Sequence, residues 1–474
     1  MKKALYIFVA LLVTSYIAWS LCCMWQRGMI AKSPSLDMQQ MQHADSVILR
    51  AIENREFPGA VLCVVRRAAD GESMGEIAYL KAYGHRSVLS KEGVADSVAM
   101  TCDAVFDLAS MSKCMGTTLA VMRLVEDGKL RLTDCVDSYI EDFKPWDSVV
   151  MEKKPKRWSR RNAEPKLRMV ESRPIMIKHL LTHTSGLPAF INVKQFVERY
   201  AGCGDVPANL KDSLLKHIAA ESPRMWQPGS KVRYSCLNFV ILQAIVEQLS
   251  GCELDEFLSR EVFEPLGLQH TRYYDLDEDL APLDSLPIVP TEMQADGTML
   301  CGEVHDPIAR LINRGVSGNA GLFSTAEDLA VMTSMLLNGG VMRLPKEGWR
   351  GKLGLSTRCR LYGERTIKTF FSVPESLSLH QRALGWSAEF DKGGCYGDLM
   401  TPHHVVSHTG YTGTSIAIDY AEGVAVILLT NRVHPKDRGS LARTRAVVAN
   451  VVMGAMEIQN SKFKINLNPS SFGE

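Results

Sequence analysis

Short apolar runs rich in β-branched residues mark the first part of the chain. Residues 60–65 form one such run and residues 75–84 a second, with a turn signal at Asp70-Gly71 between them. This pattern predicts a β-hairpin. Ahead of it, apolar positions at helical spacing predict a short amphipathic helix over residues 44–54, preceded by a polar linker at residues 31–43.

A helical period begins at Ser110. From Ser110 to Asp127, residues recur at intervals of three and four on one face, and Gly128 follows as a stop signal: Met111, Cys114, Met115, Thr118, Leu119, Met122 and Val125. Ser110 is the first residue of the pattern. Its side chain is therefore predicted to lie at a helix N-terminus, where backbone N–H groups have no partner within the helix.

The rest of the chain changes from helical to β-type patterning. Residues 130–382 are mainly helical, and after residue 383 four β-type runs precede a last helix at 441–456: 384–390, 405–408, 414–419 and 424–429. Strands at both ends of a helical middle predict an α+β fold. The predicted domain, residues 44–458, has one antiparallel sheet built from both termini (44–129 and 383–458) and flanked by helices. Residues 130–382 form an all-helical insertion, and residues 459–474 form a C-terminal tail.

The N-terminus has the pattern of an export segment. Lys2 and Lys3 precede an uncharged stretch from Ala4 to Gln26, so residues 1–30 are predicted to be a signal peptide or an uncleaved signal anchor. Ala18-Trp19-Ser20 is an acceptable cleavage site, whereas the residues before Cys22 fit lipid attachment poorly. Either outcome places the protein in the periplasm or on the outer side of a membrane.

Composition excludes several classes of function. The chain has 54 Lys and Arg against 53 Asp and Glu, so no net field attracts nucleic acid, and we expect no nucleic-acid partner. Its 12 cysteines have no C-x-x-C pair, which removes the sequence support for a zinc or redox site. We expect free thiols and neither a metal nor a cofactor.

Ser110 and Lys113 carry the candidate chemistry. Serine must lose a proton to become a good nucleophile, and residues three apart on a helix share a face, so Lys113 can reach the Ser110 hydroxyl. The same spacing also occurs at Ser213-Lys216 and at Ser461-Lys464. Ser213 falls inside a helical pattern and Ser461 lacks apolar neighbours, so the context favours Ser110.

Six segments in order resemble the serine β-lactamase and penicillin-binding-protein superfamily, on the branch of class C β-lactamases, D-Ala-D-Ala carboxypeptidases and related esterases. Three resemble its catalytic motifs: residues 106–113 around Ser110-x-x-Lys113, residues 226–235 ending in Tyr234-Ser235, and His408-Thr409-Gly410. Three more resemble framework segments: residues 179–187, 304–307 and 319–329. The resemblance covers residues 45–456.

The resemblance implies a role for each matched residue. Ser110 forms an acyl-enzyme, while Lys113 and Tyr234 handle the proton. A phenol becomes a usable base only beside a cation, which Lys113 supplies. His408 and Thr409 face the substrate on the strand at the edge of the site, followed by Gly410. The backbone N–H groups of Ser110 and Tyr411 form an oxyanion hole.

Two positions depart from the β-lactamase pattern. Cys236 stands where that pattern has the Asn of Tyr-x-Asn, and a thiol cannot offer an amide to a substrate carbonyl. Asn238 is interpreted as a helix or packing residue. His408 replaces the usual Lys, which exchanges a permanent cation for a group that titrates near neutrality.

Three hypotheses follow. The favoured one is an exported serine hydrolase that acts through an acyl-enzyme on an ester or a D-amino-acid-containing amide or peptide, so that its partner is a small-molecule or peptide substrate. The alternatives are a β-lactamase and a catalytically silent binding or sensor domain of the same fold. Slow or absent penicillin turnover is expected from Cys236 and His408.

Overall fold

The computed structural model describes residues 36–89, 95–150, 167–200, 210–276, 286–345, 356–388 and 395–456. The predicted signal or anchor at 1–30, the tail at 459–474 and the Ser461-Lys464 pair lie outside the described residues. Among the residues that are described, no helix is both long enough and apolar enough to cross a bilayer.

The described residues include thirteen strands and twelve α-helices, besides short 3-10 and π-helical turns. The strands are β1 Gly59–Arg66, β2 Glu76–Leu89, β3 Ala95–Ala99, β4 Phe106–Asp107, β5 Trp146–Val150, β6 Leu167–Arg173, β7 Arg272–Tyr273, β8 Leu322–Ser324, β9 Val341–Pro345, β10 Ser356–Arg360, β11 Val405–Thr409, β12 Ser415–Asp419 and β13 Val424–Thr430. The helices are α1 Met38–Glu53, α2 Thr118–Glu126, α3 Ile177–Leu181, α4 Val193–Tyr200, α5 Leu210–Ala220, α6 Leu237–Ser250, α7 Leu254–Leu258, α8 Glu264–Leu266, α9 Pro307–Leu311, α10 Ala326–Leu337, α11 Glu364–Phe371 and α12 Ala442–Ala455.

One six-stranded antiparallel sheet, in the order β11-β12-β13-β1-β2-β3, joins the two ends of the chain. The predicted hairpin is confirmed, because β1 pairs with β2 from Gly59 opposite Gly84. The other edge of β1 pairs with β13, with Ala60 opposite Thr430. The α+β fold with a sheet built from both termini is therefore confirmed.

Helices cover both faces of this sheet. On one face α1 and α12 pack together over a cluster of buried side chains that includes Ile48 and Val448. On the other face a larger core contains Leu119 of α2 and Leu329 of α10. Every residue of β1 is buried, since both of its faces pack against helices. This arrangement leaves β11 at an edge of the sheet, next to the larger core.

Three details differ from the sequence predictions. Helix α1 begins at Met38 instead of Ala44, because the Asp37 side chain accepts hydrogen bonds from the N–H groups of Gln39 and Gln40. The segment predicted as a linker therefore contains the start of a helix. The middle of the chain is mainly helical but not all-helical, since β5–β6 and β9–β10 form two-stranded sheets within it.

The predicted strand at 384–390 is wrong over its described part. Gly385 has φ +84°, and a Cβ there would lie 2.0 Å from Thr118 Oγ1, so the backbone turns tightly against α2. Ser387 forms only isolated β-bridges, with Arg382 and with Ser407. The apolar residues of this segment, such as fully buried Trp386, reflect packing into the core and not strand pairing.

Candidate active site

Ser110 lies in a turn of 3-10 helix, Ala109–Met111, that continues through a π-helical turn, Lys113–Thr117, into α2. The prediction that Ser110 begins a helix is confirmed. Ala109, just before it, has φ +46°, a backbone conformation that residues other than glycine rarely adopt. The buried Asp107 carboxylate accepts the Ala109 N–H at 2.8 Å and stabilises this backbone. Strain of this kind is typical of functional sites.

Lys113 is completely buried beside Ser110. Its Nζ donates to Ser110 Oγ at 3.0 Å and to the backbone oxygen of Asn319 at 2.6 Å. Burial lowers the pKa of Lys113, but attraction to the ionised forms of Cys236 and Tyr234 and to Asp306 outweighs burial and raises that pKa above its usual value, so Lys113 keeps its proton when its neighbours ionise. Lys113 is therefore an ammonium at neutral pH. In the resting site it donates a hydrogen bond to the nucleophile and cannot accept a proton from it.

The loop that carries Tyr234 lies against residues 183–189. Arg233 N donates to the His183 carbonyl and Cys236 N to the Ala189 carbonyl, both at 2.8 Å. A Cβ at Gly186, where φ is +83°, would lie 1.9 Å from the Trp226 carbonyl oxygen, so only glycine fits this close approach. The loop thereby positions Tyr234 with its ring 4.3 Å from His183 and 5.2 Å from Lys113 Nζ.

The pKa of Tyr234 is raised, because burial of its phenol group outweighs the opposing effects of Lys113 and of hydrogen bonding to Ser110. Tyr234 as a whole residue is 37% exposed and lines the cavity. The sequence expectation that Lys113 makes Tyr234 a usable base is therefore incomplete. The cation is present, yet the resting group is a neutral phenol.

His408 lies on edge strand β11, paired with Ile416 of β12. Its Nδ1 lies 3.0 Å from the Thr409 carbonyl oxygen, so Nδ1 carries the proton and Nε2 is an acceptor. Burial, Lys113 and Arg382 lower the pKa of His408 to about 3. The expectation that His408 titrates near neutrality is wrong, because the fold buries the ring beside two cations.

Thr409, Gly410 and Tyr411 line the same cavity as Ser110, Tyr234 and His408. Tyr411 is 55% exposed, and its hydroxyl donates to Asp437 at 2.7 Å. The structure thus brings together, around one cavity of about 600 Å³, the residues that the sequence assigned to the nucleophile and the oxyanion hole.

Cys236 does not line this cavity but contacts Lys113 and Asn319 beneath it. Burial raises the pKa of the Cys236 thiol despite the opposing effect of Lys113, so the thiol is neutral. Asn238 does not replace the missing amide. Its side-chain oxygen accepts from the Ser185 hydroxyl at 2.6 Å, and its nitrogen lies 3.2 Å from His183 Nδ1, which confirms the packing role.

Sequence reasoning missed three arginines. Arg382, Arg432 and Arg445 line the cavity, and among its described lining residues none is Asp or Glu. Arg432 forms an ion pair with Asp437 at 2.7 Å, and burial lowers the pKa of Arg445 to about 10, which leaves it charged at neutral pH. Isolated arginines such as these, of which Arg445 lies in α12, carry no sequence signal. Asn319, whose carbonyl holds Lys113, fell within a recognised framework segment but was not assigned a role.

The remaining candidates have structural roles or none. His179 Nδ1 accepts the Met176 N–H at 3.0 Å, and Ser213 lies within α5. The described cysteines are free thiols, and no group of three or more potential metal ligands occurs among the described residues. A groove of about 910 Å³ beside β9 and β10 contains none of the predicted site residues.

Comparison with known proteins shows the family of this chain. Its sequence matches the family described as Beta-lactamase over residues 44–450. The chain belongs to this family. The match spans the whole cavity and the main sheet, so the resemblance seen in six segments extends through the intervening residues.

Two curated relatives match over most of their length. An N-acetylmuramyl-L-alanine amidase of Bacillus subtilis (strain 168) is 29% identical over 454 residues, 91% of each chain. A Salmonella agona (strain SL483) protein that carries the name D-alanyl-D-alanine carboxypeptidase is 29% identical over 416 residues, 84% of each chain. The relatives of this chain thus carry the names of hydrolases that cleave amide bonds.

Among solved structures, EstCE1, described as a hydrolase with promiscuous acyltransferase activity, superimposes with a TM-score of 0.60 at 21% identity. The superposition covers 88% of this chain and 99% of EstCE1. At this identity the likeness supports the α+β fold alone.

Proposed function

We propose that this chain is an exported serine hydrolase that forms an acyl-enzyme on Ser110. The observation that carries the proposal is the 3.0 Å contact between the buried Lys113 ammonium and Ser110 Oγ, in a cavity that also contains Tyr234. A buried ammonium next to a hydroxyl favours the negative charge that develops on that oxygen during attack.

The reaction has two steps, acylation of Ser110 and hydrolysis of the resulting ester. Ser110 Oγ attacks the substrate carbonyl carbon, and its proton passes to Tyr234 as Tyr234 gives its own proton to the leaving amine or alcohol. The bond from carbonyl carbon to leaving group then breaks, which leaves an ester on Ser110. In the second step water attacks this ester, Ser110 regains a proton, and the acid is released. Backbone N–H groups of Ser110 and Tyr411 stabilise the oxyanion in both steps.

A D-amino-acid-containing peptide with a free carboxylate is the substrate class that we favour over a simple ester. Three arginines line the cavity. Arg432 is paired with Asp437, but the arginines still outnumber this carboxylate, so an anionic group on the substrate is attracted. The carboxypeptidase and amidase names of the relatives support an amide substrate. We place the reaction in the periplasm or on the outer face of a membrane, on the basis of residues 1–30.

Active-site labelling tests the nucleophile. A fluorophosphonate probe is expected to label the wild-type protein and to fail with Ser110→Ala. Ser213→Ala, which removes the serine of the second S-x-x-K match, is the matched control and should label fully. Labelling that persists in Ser110→Ala would exclude Ser110 as the nucleophile. An unlabelled wild-type protein would favour the silent binding domain.

Substrate class is tested by comparing kcat/KM for D-alanyl-D-alanine peptides with free and amidated C-termini, p-nitrophenyl acetate and nitrocefin. We expect at least about 10-fold preference for the free carboxylate, the factor that about 1.4 kcal/mol provides. Nitrocefin turnover should be slow or absent, because Cys236 offers no amide. Equal rates with the two peptides would contradict the role of the arginines, and efficient nitrocefin hydrolysis would favour the β-lactamase alternative.

A further inference from the structure

Two threonine hydroxyls join the segment before the nucleophile to the turn after β11. Thr412 Oγ1 donates to the backbone oxygen of Asp107 at 2.7 Å, and Thr414 Oγ1 donates to the backbone oxygen of Leu108 at 3.0 Å. All four residues are at most 3% exposed, so water does not compete for these hydrogen bonds. We call residues 107–110 the nucleophile segment and residues 410–414 the oxyanion turn.

The nucleophile segment is held firmly on its other side. Leu108 N donates to the Leu322 carbonyl at 2.9 Å. The Asp107 carboxylate accepts the N–H of Ala109 at 2.8 Å and the N–H of His305 at 2.7 Å. The two carbonyl oxygens that face the oxyanion turn are therefore fixed acceptors.

The oxyanion turn is equally well defined. Gly410 N donates to the Thr414 carbonyl at 2.8 Å, and Arg432 Nε donates to the Tyr411 carbonyl at 3.2 Å. Tyr411 thus lies between two anchored points of the turn. The position of its N–H relative to Ser110 depends on how the turn is attached to the nucleophile segment.

The two segments approach so closely that a side chain at position 410 does not fit. A Cβ on Gly410 would lie 2.4 Å from the Leu108 carbonyl oxygen and 2.1 Å from Thr414 Oγ1. Contacts this short do not occur between a real Cβ and an oxygen, so the Thr414 hydroxyl and the Leu108 backbone fill this space.

We propose that Thr412 and Thr414 are positioning residues that set the distance between the backbone N–H groups of Ser110 and Tyr411. This inference rests on the proposed function, since it assigns these two N–H groups to the oxyanion hole. An oxyanion hole acts only when both donors point at the place where charge develops. A small shift of the oxyanion turn would therefore slow the reaction and leave substrate binding almost intact.

The test replaces each hydroxyl by a methyl group, which keeps the β-branched shape of the side chain but removes the donor. In Thr412→Val and Thr414→Val we expect kcat to fall by about 10-fold to 100-fold, less than the loss of a whole oxyanion donor, with KM within about threefold of the wild type. The affinity for phenylboronic acid, which forms a tetrahedral adduct with serine, should fall in parallel with kcat. Thr412→Ser and Thr414→Ser retain the hydroxyl and should recover most of the activity.

Thr333→Val is the matched control, because Thr333 Oγ1 is also buried and donates to a backbone carbonyl, that of Leu329, at 2.6 Å within α10. Its kcat should equal that of the wild type. Unchanged kcat in both valine variants at the oxyanion turn would overturn the proposal, and so would a rise in KM at constant kcat. A wild-type protein that no fluorophosphonate labels would instead overturn the proposed function, and this inference with it.

Discussion

At the scale of single residues, burial decides the charge states in the site. Lys113 is charged, while Tyr234 and His408 are neutral at pH 7, because burial raises the pKa of Tyr234 and lowers that of His408. The buried Lys113 ammonium therefore polarises Ser110 beside a neutral tyrosine and a neutral histidine, while arginines supply further positive charge along the cavity lining. The residue types alone did not determine these charges, since a histidine ordinarily titrates near neutrality and could have been a cation.

The neutral state of His408 predicts the pH dependence of the reaction. With a pKa of about 3, His408 binds no proton between about pH 5 and pH 8, the range in which an ordinary histidine titrates. We therefore expect the pH profile of kcat/KM to have the same shape between about pH 5 and pH 8 in the wild type and in His408→Gln. Parallel pH profiles of the wild type and His408→Gln provide the measurement, and an inflection near pH 6.5 that is lost in the variant would contradict the neutral state.

At the scale of elements, one carboxylate attaches the N-terminal helix to the sheet. Asp45 of α1 accepts hydrogen bonds from the hydroxyls of Tyr79 and Tyr83 and from Lys81 Nζ, all on β2. The Asp45 side chain is 19% exposed. These contacts lower its pKa although burial opposes them. The attachment lies on the face of the sheet that packs α1 and α12.

Removing this carboxylate should destabilise the fold. In Asp45→Ala the two tyrosine hydroxyls lose their acceptor, and we expect the free energy of unfolding to fall by about 1–3 kcal/mol. Urea denaturation measures the change. Ser46→Ala, an exposed neighbour on the same helix, should differ from the wild type by less than about 0.5 kcal/mol. An Asp45→Ala protein as stable as this control would show that helix packing alone holds α1.

At the scale of the whole molecule, the free energy of unfolding depends on pH through every group whose pKa differs between the folded and unfolded states. Burial lowers the pKa of His179 to about 4 and that of His183 well below 6.5, while Glu247 has a pKa raised to about 7. Acidification therefore destabilises the fold through the histidines and favours it through Glu247. The slope of the free energy of unfolding against pH is the sum of these opposing effects, so single substitutions are needed to separate them.

His179→Asn isolates one of these contributions. Unfolded His179 binds a proton as the pH falls below about 6.5, while the folded group does so only near pH 4, so its stabilising contribution is complete above pH 6.5 and is lost on acidification. Between pH 7 and pH 5 the wild type should lose about 2 kcal/mol relative to His179→Asn. Urea titrations at both pH values measure this difference. His43→Asn, at an exposed position, should show none, and equal pH slopes in wild type and His179→Asn would contradict the lowered pKa.

The sequence by itself determined the local elements and the pairing of Ser110 with Lys113. The spacing at which apolar residues recur predicts whether a segment is a strand or a helix. Two residues three positions apart lie on the same face of a helix whatever surrounds them. Local sequence also indicated that both termini contribute strands. It failed at residues 384–388, where an apolar run is buried without pairing as a strand.

Only the tertiary structure decided what surrounds Ser110. Lys113 Nζ donates to the carbonyl of Asn319, a residue 206 positions away in the sequence. The Thr412 and Thr414 hydroxyls donate to carbonyls that are 305 and 306 positions away. Convergence of three arginines and the neutral state of His408 likewise depend on which distant segments meet. A pKa is set by burial and by nearby charges, and no local pattern specifies either before the chain has folded.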